Sequence, residues 1–148
     1  MDYLSNYEGS LWSPTVGDMI YLESAGDTFL FGKPSGPHNV QATLTYNFLI
    51  SRYEISNKVF GEFVNDGGYT NQSYWTTKGW NYINSISYPW PNWWLDLDIS
   101  PEQPVVGLSW YEAVAFTQWL SIKEGHPTSY DSDGRIIDLL NDGYRLPT

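Results

Sequence analysis

The first third of the chain contains short stretches rich in β-branched and aromatic residues, separated by turns that contain glycine. This arrangement favours β-strands bounded by turns. Residues 32–37, Gly-Lys-Pro-Ser-Gly-Pro, interrupt the pattern and predict a loop. We predict four short strands, near residues 19–23, 28–31, 42–46 and 48–54.

The spacing of apolar residues then changes to that of an α-helix. After the capping residue Ser56, four apolar residues fall on a single helical face: Val59, Phe60, Phe63 and Val64. A second helix begins at Ser109, which forms a Ser-x-x-Glu capping box with Glu112. The pattern predicts helices over 57–65 and 110–124.

Residues 69–104 show neither the helical nor the strand period. A loop of that length is uncommon unless it is functional or disordered. Because this segment carries five of the eight tryptophans, disorder is not expected. We predict a long ordered loop.

Composition narrows the class of protein. The 148 residues suit one domain, and a hydrophobic content of 41% with 18% aromatic residues excludes a disordered acidic tail. A net charge of −10 argues against binding nucleic acid or anionic lipid. No membrane-spanning apolar run and no signal peptide are visible, so the sequence predicts no membrane insertion and leaves the cellular location open.

The tryptophans of the predicted loop are the candidate ligand-binding residues: Trp75, Trp80, Trp90, Trp93 and Trp94. Aromatic faces stack on sugars or peptides, so the implied partners are a carbohydrate, a peptide or a protein. The alternative is that these rings form a core beneath a segment without regular structure. We expect a mixture, with most rings inside and a minority at the surface.

Other polar motifs favour structural roles. The Asp131–Gly134 region has Ser129 and Leu140 where an EF-hand needs acidic residues, so we predict a turn rather than a calcium site. Ser109 is a helix cap, because the strained Gly-x-Ser-x-Gly turn of a nucleophile is absent.

The two histidines, His38 and His126, have no second ligand at metal-binding spacing, and the chain has no cysteine. We therefore predict no catalytic residue and no cofactor or metal site within this sequence.

Four motifs, in order, resemble the formylglycine-generating enzyme or sulfatase-modifying factor domain family. Residues 26–32 are similar to its Gly-Gly-x-Phe-x-Met-Gly motif, and residues 53–63 to its Tyr-Glu-Val-Thr-Asn-x-x-Phe-x-x-Phe motif. Residues 103–113 resemble Pro-Val-x-x-Val-Ser-Trp-x-x-Ala, and residues 143–148 are the Gly-Tyr-Arg-Leu-Pro-Thr that the family continues with Glu-Ala-Glu-Trp.

The resemblance implies an α+β, C-type-lectin-like fold with little regular secondary structure, two helices and short antiparallel strands. It divides the chain into an N-terminal extension, 1–16, and the N-terminal half of such a domain, 17–148. It places the copper-binding cysteine pair and the calcium loops beyond this sequence, which therefore looks truncated. It also implies a buried structural ion pair for Arg145.

The family resemblance leaves several functions open. The full-length protein would be an oxygen-dependent oxidase acting on cysteine or another thiol, with this chain inactive alone. The alternative is a non-catalytic ligand-binding or cell-surface structural module. Residues 74–80 and 91–94 resemble a bacterial subgroup. We also expect an isolated half-domain to be marginally stable or to associate, because unpaired strand edges recruit partners.

Overall fold

The structure is a computed structural model that describes residues 12–32, 40–91 and 100–147. The chain divides into two units, Met1–Tyr53 and Glu54–Thr148. The first unit contains the strands and the second contains the helices. Trp93, Trp94 and His38 lie outside the described residues.

The described part of the first unit is built from short antiparallel strands. These are β1 (Trp12–Ser13), β2 (Gly17–Leu22), β3 (Thr28–Phe31), β4 (Val40–Thr43) and β5 (Phe48–Ser51). One sheet has the order β1-β2-β5, and β3 pairs with β4 in a second sheet. Between the strands, the Asn47 side-chain oxygen accepts hydrogen bonds from the backbone N–H groups of Ser24 and Ala25. This amide therefore satisfies backbone donors where the sheet ladder stops.

The second unit contains α1 (Asn57–Asn65), a 3-10 turn (Gln72–Tyr74), α2 (Thr77–Ser85) and α3 (Trp110–Glu124). Its core forms where aromatic side chains of α1 and α3 meet. The rings of Phe60, Phe63, Phe116 and Trp119 lie with centroids 5.2–6.1 Å apart and are at most 5% exposed. Contacting rings at this separation bury a large apolar area for few residues.

Polar contacts also join α1 to α3. The Lys123 ammonium lies 3.2 Å from a Glu62 carboxylate oxygen and 3.1 Å from one of Asp66. It also lies 4.7 Å from the Trp119 ring centroid, over a ring whose N–H donates to Asp66. The Lys123 side chain therefore lies over the Trp119 ring at the edge of the aromatic core. It makes one cation–π contact and two partly exposed ion pairs there.

Most of the predicted elements are confirmed. The two predicted helices have the same bounds as α1 and α3, and β3 agrees residue for residue with the prediction. Each of β2, β4 and β5 overlaps its predicted strand but is shifted or shorter, and β1 was not predicted. The α+β class with short antiparallel strands is confirmed, as are the capping box at Ser109 and the turn at residues 131–134.

The prediction of two helices and of an unbroken loop over 69–104 is wrong. Helix α2 begins within that segment, where the Thr76 hydroxyl accepts a hydrogen bond from the Gly79 N–H. Only Gly79 and Ile83 are buried along its nine residues. With so few buried positions, the sequence shows no helical spacing of apolar residues. Glycine is also a poor helix former, so the helix was not predicted. The helix depends on packing against α3, which a local pattern does not report.

No helix among residues 12–32, 40–91 and 100–147 has the length and apolar character needed to cross a membrane.

Candidate functional site

A buried carboxylate occupies the start of α3. Glu112 is 4% exposed, and its side chain accepts three hydrogen bonds. One carboxylate oxygen accepts from the Ser109 N–H at 2.7 Å and from the Ser109 hydroxyl at 2.6 Å, while the other accepts from the Tyr69 hydroxyl at 2.6 Å. A buried charge is costly unless it is hydrogen-bonded, and the helix N-terminus favours a negative one. The sequence places this acid through its capping box.

The phenol that reaches Glu112 comes from the turn after α1. Tyr69 is half-buried, and burial together with the hydrogen bond and negative charge of Glu112 strongly raises its pKa. Both causes oppose ionisation, since a phenolate here would be desolvated and would face a carboxylate. Tyr69 is therefore a neutral donor at physiological pH, and Glu112 is its acceptor.

Two tryptophan rings contact Tyr69, and a third contacts one of those two. The Tyr69 ring centroid lies 4.9 Å from that of Trp90 and 5.8 Å from that of Trp75, and Trp75 lies 6.3 Å from Trp80. The Trp75 N–H donates to the Gly68 carbonyl oxygen at 2.7 Å, which fixes the ring against the turn. We refer to Tyr69, Trp75, Trp80 and Trp90 as the tyrosine–tryptophan cluster.

The described tryptophans predicted to bind a ligand differ in exposure. Trp75 is 6% exposed and occupies a core position, Trp80 is half-buried, and Trp90 is 38% exposed. The structure therefore brings three of the five candidates together, with one ring accessible to solvent. Trp93 and Trp94 lie outside the described residues. Ligand binding by these tryptophans stays a prediction.

A second group of rings reaches the surface where α2 and α3 meet. Tyr82 lies 4.9 Å from Tyr111, and Tyr111 lies 5.4 Å from Trp110, which is 49% exposed. We refer to Tyr82, Tyr111 and Trp110 as the exposed aromatic surface. The sequence did not predict this surface. The available signal was the capping box, because it places residues 110 and 111 in the first turn of α3.

The remaining candidates have structural surroundings. The His126 ring contacts the Tyr144 ring with centroids 5.7 Å apart. The Asp131 carboxylate accepts from the N–H groups of Asp133 and Arg135 and so forms the predicted turn. Burial raises the pKa of the Tyr130 phenol, and the Leu146 N–H and the charge of the half-buried Arg145 partly oppose that rise. The buried ion pair of Arg145 stays a prediction.

Among the residues that the structure describes, no three His, Asp or Glu side chains are grouped to hold a metal ion.

Comparison with known proteins identifies the family. The model of the sulfatase-modifying factor enzyme 1-like domain matches residues 13–148. The chain belongs to this family. The match covers both the strands and the helices, and it includes Tyr69, Glu112 and the tryptophans around them.

Curated relatives include proteins named hercynine oxygenase. The one from Mycobacterium tuberculosis is 29% identical over 83 residues, which cover 49% of this chain and 20% of the relative. The one from Mycolicibacterium thermoresistibile is 29% identical over 82 residues, covering 49% and 18%. A third, from Mycolicibacterium smegmatis, is 26% identical over 83 residues, covering 49% and 19%. The chain spans about a fifth of the length of the curated relatives it matches.

The raised pKa of Tyr69 predicts a loss of stability at alkaline pH. Above a pH of about 10, the unfolded chain releases this proton and the folded chain keeps it, so the free energy of unfolding falls. The Tyr69→Phe chain lacks this proton. Its free energy of unfolding should therefore fall less steeply with pH, by roughly 1.4 kcal/mol per pH unit. The measurement is urea unfolding from pH 9 to pH 11.

The matched control for this titration is Tyr53→Phe, because Tyr53 is 70% exposed. We expect its slope to equal that of the unaltered chain. Equal slopes for the unaltered chain and Tyr69→Phe would contradict the buried, neutral state of Tyr69.

Proposed function

We propose that this chain is part of an oxygen-dependent oxidase that acts on cysteine or another thiol. The observation that carries the proposal is the family match over residues 13–148. The relatives named hercynine oxygenase support an oxygen-dependent reaction. Because the chain spans about a fifth of those relatives, the activity belongs to the complete protein.

In this proposal the chain supplies a scaffold and no thiolate ligand for copper. The sequence contains no cysteine, so thiolate ligands for copper would come from another part of the complete protein. Calcium would be bound there as well. The contribution of the described residues is the aromatic core of α1 and α3 and the segment attached to it through Tyr69 and Glu112.

We also propose that the complete domain is C-type-lectin-like and that this sequence is its N-terminal half. Family membership supports the first statement. The small share of each relative that the chain covers is consistent with the second. The separation into a strand unit and a helical unit is compatible with such a mixed fold.

A non-catalytic ligand-binding module is the alternative function, and the exposed aromatic surface favours it. Trp110 is 49% exposed and Tyr82 is 37% exposed, and both rings contact Tyr111. Adjacent exposed rings with polar side chains nearby resemble the lining of a ligand site. Lys78 and Asp133 form an ion pair at 3.5 Å, and Gly134 packs against Trp110. The ligand would be a sugar or a peptide.

Oxygen uptake tests the oxidase proposal. The complete gene product and the 148-residue chain are each supplied with copper and a cysteine-containing peptide in an oxygen electrode. We expect the complete product to consume oxygen as the peptide thiol disappears, and the chain alone to match the protein-free control. Uptake by the chain alone, or none by the complete product, would contradict the proposal.

Binding to glycan and peptide arrays tests the alternative. A binding module should bind a member of one array saturably, and Trp110→Ala should weaken that binding about tenfold, because stacking on an exposed ring is worth ~1 kcal/mol or more. Trp12→Ala is the matched control, since Trp12 is 55% exposed and lies in the other unit. The alternative fails if the chain binds neither array, or if both substitutions weaken binding equally.

A further inference from the structure

We propose that Tyr69 is a redox-active tyrosine that donates an electron to Trp90 and its phenolic proton to Glu112. This goes beyond the proposed function, because it assigns an electron-transfer role to residues inside this chain. The proposal depends on the proposed oxidase function in one respect only: the physiological oxidant would be a one-electron oxidant derived from oxygen. The site consists of a half-buried phenol, a buried carboxylate and a partly exposed indole.

The first requirement is a proton acceptor. Removing an electron from a neutral phenol makes its O–H strongly acidic, so oxidation is favourable only if the proton leaves at the same time. The Tyr69 hydroxyl donates to a Glu112 carboxylate oxygen at 2.6 Å, the short distance of a charge-assisted hydrogen bond. The other oxygen of Glu112 is held by Ser109, so the acceptor oxygen is fixed in place.

The second requirement is an electron path to the surface. The Tyr69 and Trp90 ring centroids lie 4.9 Å apart, so the two π-systems are in contact. Trp90 is 38% exposed and accessible to a diffusing oxidant. Trp75 and Trp80 belong to the same cluster, but Trp75 is 6% exposed and Trp80 is half-buried, so both are less accessible than Trp90. Within the tyrosine–tryptophan cluster, Trp90 is therefore the ring that a diffusing oxidant reaches most easily.

The electron and proton balance is complete. A one-electron oxidant takes an electron from the Trp90 indole and is itself reduced. Tyr69 then gives an electron to the oxidised indole. The phenolic O–H bond of Tyr69 breaks and its proton joins the Glu112 carboxylate, which leaves a neutral tyrosyl radical. A thiolate in solution then gives one electron to the tyrosyl radical and becomes a thiyl radical, and the phenol regains its proton from Glu112. Two thiyl radicals combine as a disulfide, so the net change is one electron moved from each thiolate to each oxidant.

A purely structural role for the same hydrogen bond gives different results in a redox experiment. Every chain in this experiment carries Trp110→Phe, because Trp110 lies 5.4 Å from Tyr111 and 6.3 Å from Tyr130 and would give a second indole-to-phenoxyl transfer. Azide radicals generated by pulse radiolysis oxidise the remaining tryptophans, and absorption distinguishes indole from phenoxyl radicals. We expect a phase of indole-to-phenoxyl transfer whose rate is independent of protein concentration. Tyr69→Phe should remove this phase, and the control Tyr53→Phe, at a side chain that is 70% exposed, should keep it.

Glu112→Gln tests the proton acceptor. Glutamine at this position preserves a capping box but is a far weaker base. We expect the transfer to slow by about tenfold, which corresponds to ~1.4 kcal/mol in the barrier, and to lose the slowing that the unaltered chain shows in heavy water. This solvent isotope effect would not change if Glu112 were only structural.

The proposal is overturned if Tyr69→Phe retains the transfer phase, or if a folded Glu112→Gln keeps both the rate and the isotope effect. Near-ultraviolet circular dichroism verifies folding, and if Glu112→Gln is unfolded, the Tyr69→Phe result decides alone. Because radiolysis supplies the oxidant, failure here is distinguishable from failure of the oxidase proposal, which is measured by oxygen uptake of the complete protein.

Discussion

The helical unit depends on keeping one carboxylate buried. Glu112 has lost nearly all its water, and the Ser109 N–H, the Ser109 hydroxyl and the Tyr69 hydroxyl replace it. Two of these donors also start α3, so the helix and the buried charge stabilise each other. The third donor fixes the turn after α1 to the start of α3, across 43 residues of sequence. Removing any one donor would leave a buried carboxylate with one hydrogen bond fewer, which costs stability.

Side chains hold the irregular segment that follows α1. The Trp75 N–H donates to the Gly68 carbonyl and the Gln118 amide donates to the Tyr74 carbonyl, so backbone acceptors outside the α-helices and sheets are satisfied. At Gly68 an added β-carbon would lie 2.6 Å from the Phe63 ring, so only glycine allows this approach. A segment fixed in this way holds the tyrosine–tryptophan cluster in one arrangement. Such order is what either a ligand surface or an electron path requires.

Local signals explain which parts of the fold were predictable. The capping box of α3 and the apolar stripe of α1 lie within a few consecutive residues, and both helices have the predicted bounds. Helix α2 has two buried positions, one of them a glycine near its start. Its sequence therefore shows no helical pattern, and the helix is stabilised by tertiary packing. The contact between Tyr69 and Glu112 joins distant segments, and no spacing rule brings them together. The exposure of Trp90 and the burial of Trp75 follow from the same long-range packing.

The most direct test of this account is a double-mutant cycle on the Tyr69–Glu112 hydrogen bond. Urea unfolding is measured for the unaltered chain, Tyr69→Phe, Glu112→Gln and the double variant at neutral pH. A bond on which the helical unit depends should give a coupling energy of about 0.5–3 kcal/mol. Effects that add to within ~0.3–0.5 kcal/mol would show that the two side chains act independently and would contradict the account.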